Sequence, residues 1–182
     1  MSERLLVGTL ITHPQTISLM GEFIVRWSLA EMTLIMPLLV ALDSHNQDVA
    51  ASVLSSTNST EGKIKIVRSA VQTMNDRFSR REGVLKVLSR FEKLCPERNL
   101  LLHHVWAYEE VNQQIVTIDY RKPPDHPGRV TTRSLESLID LCNHIALISA
   151  EICAASGSSW ITEEAVKGWR LEISGRADVA RS

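Results

Sequence analysis

The sequence predicts an all-α fold, an up-and-down helical bundle that is interrupted by a small β-sheet at about residues 105–133. Along most of the chain, apolar residues recur every three to four positions, as they do on the buried face of an amphipathic helix. Pro residues and clusters of Ser, Thr and Asn separate these stretches. Between about residues 105 and 133 the pattern changes to aromatic and β-branched residues with turn signals, which is typical of strands.

The composition is that of a soluble globular protein. Of the 182 residues, 44% are hydrophobic and 23% are charged, and this length is sufficient to bury a core. A net charge of −1 gives no basis for binding nucleic acid non-specifically, so a nuclease built on this chain would need a local basic site. Three Cys residues with neither framework nor zinc spacing favour a reducing compartment. We therefore expect a cytoplasmic protein with no signal peptide, no membrane association and no cofactor or metal.

The first long helix is predicted from about Thr16 to Asp43. Its buried stripe is formed by Met20, Phe23, Trp27, Leu34, Leu38 and Ala41. Pro37 lies inside this stretch and predicts a kink or a local break. Glu31 lies on the apolar stripe itself, where an unpaired carboxylate is costly. It is therefore either a structural ion pair at the rim of the core or a residue that supports a functional site.

Three further helices are predicted before residue 95. A short helix covers about Asp48 to Ser56, and a longer one runs from Glu61 to Ser79 with Ser59 or Thr60 as its N-cap. The next covers about Glu82 to Leu94.

A new helix is then predicted to begin near Pro96, because proline suits the first helical turn, and to continue to about Val105. Arg98 would lie close to its positive end, where helix-start N–H groups favour anions. Asn99 and His103, four residues apart, would share one face. A guanidinium and an imidazole in this position could hold a phosphate and transfer a proton beside it.

The segment Arg98-Asn99-Leu100-Leu101-Leu102-His103 resembles the signature of the HEPN superfamily, in which an Arg, a polar residue and a few variable positions precede a His. A Gly often follows that His in the family. Here the next residue is His104, which at the longer spacing is an alternative for the same role.

The resemblance implies metal-independent RNA cleavage at a site formed by two copies of the motif in a homodimer. Arg98 would hold the scissile phosphate, Asn99 would orient the imidazole or bind the phosphate, and His103 or His104 would be the acid–base catalyst. Glu31 would support the site from another helix. The implied setting is a toxin or phage-defence ribonuclease with an antitoxin partner. The alternatives are a non-catalytic HEPN-like nucleotide- or protein-binding module, and a structural role in which Arg98 pairs with Glu31 or Glu97 and His103 packs in the core against Trp106.

After the motif, the sequence predicts a β-hairpin followed by a third strand and a last helix. Its strands are Trp106–Tyr108 and Ile115–Tyr120 around a turn at Glu110–Asn112, and residues 129–133 add the third strand. Asp119 and Asp125 are interpreted as turn and surface residues. The last long helix is predicted at Leu135–Ala155 with Ser134 as its cap.

The expected domain organisation is a HEPN-like helical domain at residues 1–156 and a C-terminal tail at residues 157–182. The tail carries a short amphipathic helix with Ile161, Val166 and Trp169 on its apolar side.

Overall fold

The computed structural model describes residues 14–74, 80–109, 114–158 and 160–165. It contains mostly helix and a small antiparallel sheet, which confirms the predicted mixture of a helical fold with a β insertion. The elements are α1 (Pro14–Thr33), α2 (Ile35–Ala41), α3 (Gln47–Ser55), α4 (Thr60–Thr73), α5 (Arg81–His103), β1 (Val105–Glu109), β2 (Gln114–Ile118), β3 (Val130–Arg133) and α6 (Leu135–Ala155).

The predicted break near Pro37 is confirmed, and it lies at Leu34. Leu34 separates α1 from α2, so that Pro37 becomes the third residue of α2. A backbone N–H at this position has no partner within a helix, so proline costs no hydrogen bond there. Of the two N-caps proposed for α4, Ser59 is the one used, because its side chain accepts a hydrogen bond from the backbone N–H of Gly62.

The residues fall into two compact units, each built from separate stretches of chain. The first comprises the chain up to Ile24 together with Pro96–Cys142, and the second comprises Val25–Cys95 together with the chain from Asn143 onward. The division predicted at residue 156 remains a prediction, and most of the predicted tail helix, including Val166 and Trp169, lies outside the described residues.

The first unit contains the sheet, whose strand order is β1-β2-β3 with both pairs antiparallel. Ala107, Val116 and Ile118 form a buried apolar cluster on it. In the register, Val105 is opposite Ile118 and Ile118 is opposite Val130. The sheet therefore begins directly after α5, the helix that carries the motif. Its central strand, β2, ends opposite Val105, two residues after His103.

The second unit contains most of the helical core. Trp27 and Phe91 pack with ring centroids 5.0 Å apart, and both are buried. A separate cluster consists of Ala146, Ala150, Cys153 and Ile161, against which Leu29 and Met36 pack. Of the stripe predicted for the first long helix, four residues are buried, Phe23, Trp27, Leu34 and Leu38, whereas Met20 and Ala41 are partly exposed.

Within the described residues, two segments are long and apolar enough to cross a bilayer by length and composition, Thr16–Ala41 and α6. The first is interrupted at Leu34, and 61% of the apolar window of α6 is buried inside the protein. The core helix of a soluble protein has the same features, so both segments are compatible with a soluble protein.

Candidate active site

The candidate motif occupies the last turns of α5 rather than the start of a new helix. The helix continues without interruption from Arg81 to His103 with Pro96 inside it, so the expected helix start at Pro96 is wrong. Proline removes one backbone N–H and frees the carbonyl of Glu92, four residues earlier. Pro96 is exposed, which allows water to reach the ring face of the helix. Arg98 therefore lies near the partially negative end of α5, far from the N–H groups at the start of its own helix.

The Arg98 side chain joins the other two residues of the motif. Its Nη1 donates to the Oδ1 of Asn99 at 3.1 Å and lies 3.3 Å from the Nε2 of His103. His103 is exposed, so it is not the core histidine that the alternative interpretation placed against Trp106. Trp106 instead donates its indole N–H to the carbonyl of Leu101 at 2.7 Å.

The carboxylates considered as partners of Arg98 have other partners. Glu97 forms an ion pair with Arg133 at the end of β3. Glu31 belongs to the second unit and forms an ion pair with Lys63. The contacts of Arg98 with Asn99 and His103 therefore define the cluster around its guanidinium.

The Arg98–His103 contact places a guanidinium, which can only donate, within hydrogen-bond distance of an imidazole nitrogen. The Nε of Arg98 is buried and, among the described contacts, has no hydrogen-bond partner, which leaves one donor of the guanidinium unsatisfied.

His104 lies in a different environment from its neighbour. Only 8% of its side chain is exposed, and its Nε2 lies 3.5 Å from the Oδ2 of Asp119 and 3.4 Å from the Nη2 of Arg121. Its Nδ1 is buried and has no hydrogen-bond partner among the described groups.

The strand register explains why Asp119 meets His104. Val105 is opposite Ile118, and one further step along the same register places His104 opposite Asp119. The interpretation of Asp119 as a surface turn residue is therefore wrong, because it is 5% exposed and held by Arg121. The Nε of Arg121 donates to Oδ1 of Asp119 at 2.8 Å, its Nη2 donates to Oδ2 at 3.3 Å, and its backbone N–H donates to Oδ1 at 3.2 Å. Asp125 is exposed, as expected.

These contacts determine the charge of the Asp119 carboxyl. The hydrogen bond from the Arg121 side chain is the largest influence, and together with the backbone hydrogen bond and the Arg121 charge it lowers the pKa of Asp119 from 3.8 to about 2, against the opposing effect of desolvation. Asp119 is therefore ionised at neutral pH. Asp119 and Arg121 are the two residues of this region that the sequence analysis did not select.

Glu31 is bound within the second unit by three side chains. Its Oε2 accepts from the Nζ of Lys63 at 2.5 Å, and its Oε1 accepts from the hydroxyl of Thr60 and from the indole N–H of Trp27 at 3.1 Å. Burial raises the pKa of Glu31, but the hydrogen bonds from Lys63, Thr60 and Trp27 outweigh that effect and lower it overall. This is the structural ion pair that the sequence analysis offered as the alternative to a role in catalysis.

Comparisons of the chain with models of protein families, with curated proteins and with solved structures yield no match. Within the described ranges, no group of three or more His, Cys, Asp and Glu side chains is placed to hold a metal ion. The site offers a guanidinium, an amide and two imidazoles, and the two imidazoles belong to consecutive residues.

Proposed function

We propose that this protein is a HEPN-like, metal-independent endoribonuclease of the toxin or phage-defence type. The observation that carries the proposal is the contact between the Arg98 guanidinium and the exposed imidazole of His103 at 3.3 Å. A phosphate-binding cation and a proton acceptor in contact are the minimum that cleavage of RNA at its own 2′-hydroxyl requires.

Arg98 binds the scissile phosphate in this proposal. A guanidinium presents several N–H donors in a plane that matches two phosphate oxygens, and it stabilises the additional negative charge of the transition state. The Oδ1 of Asn99 accepts from Nη1 at 3.1 Å, so Asn99 orients the guanidinium. Because the site lies at a helix C-terminus, this side chain supplies the positive charge that the helix end does not.

His103 acts as the proton acceptor. It removes the proton of the ribose 2′-hydroxyl, the 2′-oxygen attacks the adjacent phosphorus, and the 5′-oxygen leaves and takes up a proton. The products are a 2′,3′-cyclic phosphate and a 5′-hydroxyl. A second imidazole is needed to protonate the leaving oxygen, and a homodimer with two motifs facing each other would supply it as His103 of the second copy.

His104 is a poorer acid–base group than His103 in this arrangement. Its side chain is 8% exposed and its Nε2 is between a carboxylate and a guanidinium, whereas substrate must reach the catalytic atom. In the proposal His104 and Asp119 support the backbone that carries His103. The proposed setting is the cytoplasm, where an antitoxin partner would restrain the activity, and Glu31 stabilises the fold through its contacts within the second unit.

The direct test is cleavage of a labelled single-stranded RNA by the purified protein in EDTA. We expect cleavage products that end in a 2′,3′-cyclic phosphate, and no cleavage of the same sequence as DNA, because DNA lacks the nucleophile. His103→Ala and Arg98→Ala should each reduce the rate by at least 100-fold, in line with the contribution of acid–base groups and of oxyanion-type donors. His45→Ala is the matched control, since His45 is an exposed histidine of the second unit.

Each outcome has a definite meaning. Cleavage that requires a divalent metal, or cleavage that survives both motif substitutions, would refute the proposed mechanism. Binding of RNA or nucleotide without cleavage, by wild-type protein that is folded and dimeric, would instead identify a non-catalytic HEPN-like binding module.

A further inference from the structure

The loop between β2 and β3 places an exposed aromatic ring among cationic side chains. Tyr120, which follows Asp119 directly, is 54% exposed. The guanidinium carbon of Arg129 lies 5.4 Å from the centroid of its ring, and 73% of the Arg121 side chain is exposed. An aromatic ring that stays in water beside cations is the arrangement that proteins use to stack nucleobases and to bind the flanking phosphates.

This loop is held in one conformation by its own hydrogen bonds. The Nζ of Lys122 donates to the carbonyl of Gly128 at 2.9 Å, and the backbone N–H of Gly128 donates to the Nδ1 of His126 at 3.0 Å. A Cβ at Gly128 would lie 3.1 Å from the Nζ of Lys122, so a side chain at this position would disturb the closure. The backbone N–H of Asp119 donates to the carbonyl of Arg129 at 2.8 Å and closes the loop at its base. A loop that is already ordered loses little conformational entropy when it binds a ligand.

The charge of the loop differs from that of the whole chain. Residues 119–129 carry three cations, Arg121, Lys122 and Arg129, and two carboxylates, Asp119 and Asp125, whereas the complete sequence has a net charge of −1. The cations of this loop therefore outnumber its carboxylates, which gives the chain a local excess of positive charge for binding phosphates.

The loop is connected to the motif through the buried side chains of His104 and Asp119. Arg121 contacts His104 at 3.4 Å, and His104 follows His103 directly in the chain. All of these residues belong to the first unit, so the aromatic ring and the motif are parts of one compact body.

We propose that the β2–β3 loop is a nucleotide-binding subsite in which a base of single-stranded RNA stacks on Tyr120 while Arg121 and Arg129 bind the adjoining phosphates. The inference rests on the proposed function, because it assigns the substrate of the same site as single-stranded RNA whose base is unpaired. A stacking platform is tolerant of sequence, since every base has a π-face, so the subsite would select unpaired nucleotides rather than one base.

The test is binding of a fluorescent single-stranded RNA to the full chain, measured by anisotropy, with His103→Ala as the background so that the RNA stays intact. Tyr120→Ala should weaken binding roughly 5- to 100-fold, the loss typical of one stacked base, and Tyr120→Phe should bind within about twofold of the background protein because it keeps the ring. Trp160→Ala is the control for an exposed aromatic elsewhere, since Trp160 is 51% exposed and belongs to the second unit.

An abasic oligonucleotide with the same phosphates separates stacking from charge. It should bind the background protein and the Tyr120→Ala variant equally, and Arg121→Ala should weaken its binding. Equal binding of intact RNA by Tyr120→Ala and the background protein would overturn the subsite, as would an equal loss in Trp160→Ala. Failure of the chain to bind any RNA would also overturn it.

The subsite and the proposed function fail in different ways. If the wild type cleaves RNA while Tyr120→Ala leaves both binding and KM unchanged, the nuclease stands and the subsite is wrong. If the loop binds RNA in the manner described and the wild type cleaves none, the subsite stands and the proposed catalytic function is wrong.

Discussion

His103 and His104 are consecutive residues whose imidazoles meet opposite conditions. His103 is exposed, and its neighbour is the guanidinium of Arg98. His104 is 8% exposed, and its neighbours are the carboxylate of Asp119 and the guanidinium of Arg121. The chain changes from helix to strand at this point, so consecutive side chains point to different surroundings. In our proposal, solvent access and a single cationic partner suit His103 to catalysis, whereas burial between a carboxylate and a guanidinium suits His104 to holding the structure.

The largest effect should separate the two histidines. We expect His103→Gln to reduce RNA cleavage by roughly 10²- to 10⁴-fold, the usual contribution of an acid–base group, without changing thermal stability. His104→Gln should lose about 1–3 kcal/mol of unfolding free energy, since it disturbs a buried polar contact, and should keep most of the cleavage rate at a temperature where it is folded. Cleavage assays on both variants measure the rates, and thermal unfolding of both measures the stabilities. A folded His104→Gln protein that is inactive, beside an active His103→Gln protein, would reverse the assignment.

The carboxylate beside His104 should appear in the pH dependence of stability. The pKa of Asp119 is about 2 in the folded chain against an ordinary 3.8, so the native state binds this proton less readily than the unfolded state. The contribution of the ionised Asp119 to the free energy of unfolding is therefore fully present above about pH 4, and it is lost as the pH falls toward 2. Denaturation of wild type and Asp119→Asn at several pH values should give a constant difference in unfolding free energy above about pH 5 and a shrinking difference below pH 4. A difference that does not change with pH would contradict the ion pair.

Glu31 extends the comparison to a polar group that is fully bound and remote from the motif in sequence. Glu31→Gln should lower the unfolding free energy by about 1–2 kcal/mol, because a partly buried charge-assisted hydrogen bond to Lys63 is replaced by a neutral one. The rate of RNA cleavage by the folded variant should not change. Chemical denaturation and the cleavage assay test the two expectations on the same preparation. Loss of cleavage with normal stability would return Glu31 to the active site.

The smallest effect concerns the bond that spans the two histidines. Trp106 donates its indole N–H to the carbonyl of Leu101 at 2.7 Å, and His103 and His104 lie between these residues. Trp106→Phe should cost about 1 kcal/mol of unfolding free energy, the net value of one hydrogen bond, and should affect cleavage only slightly. A cleavage defect much larger than the loss of stability would mean that this bond positions His103 directly.

Much of the fold followed from local pattern. The bounds of the last helix, its cap and the presence of three strands before it were predicted, because apolar spacing, a Ser at the helix start and β-branched runs are short-range signals. The predicted start of a helix at Pro96 is wrong, since proline is compatible both with a first turn and with an exposed position inside a helix.

The site shows the same division between local and long-range information. Asn99 and His103 lie four residues apart and so share one face of α5, and the long side chain of Arg98 contacts both of them. The burial of Asp119 depends on the strand register, and a turn at Glu110–Asn112 alone would pair Glu109 with Gln113. In the structure Glu109 pairs with Gln114. A one-residue shift in register moves every side chain of a strand to the other face. The contact between Asp119 and His104 therefore could not be predicted from the sequence.

The measurement that tests the central claim most directly is a double-mutant cycle on RNA cleavage with Arg98→Ala, His103→Ala and the combined variant. If the guanidinium and the imidazole act on one phosphate, either substitution disables the same step, and the combined variant should cleave about as slowly as the slower single variant. Losses that multiply would mean that the two residues act independently. Wild-type rates in any of the three proteins would contradict the account.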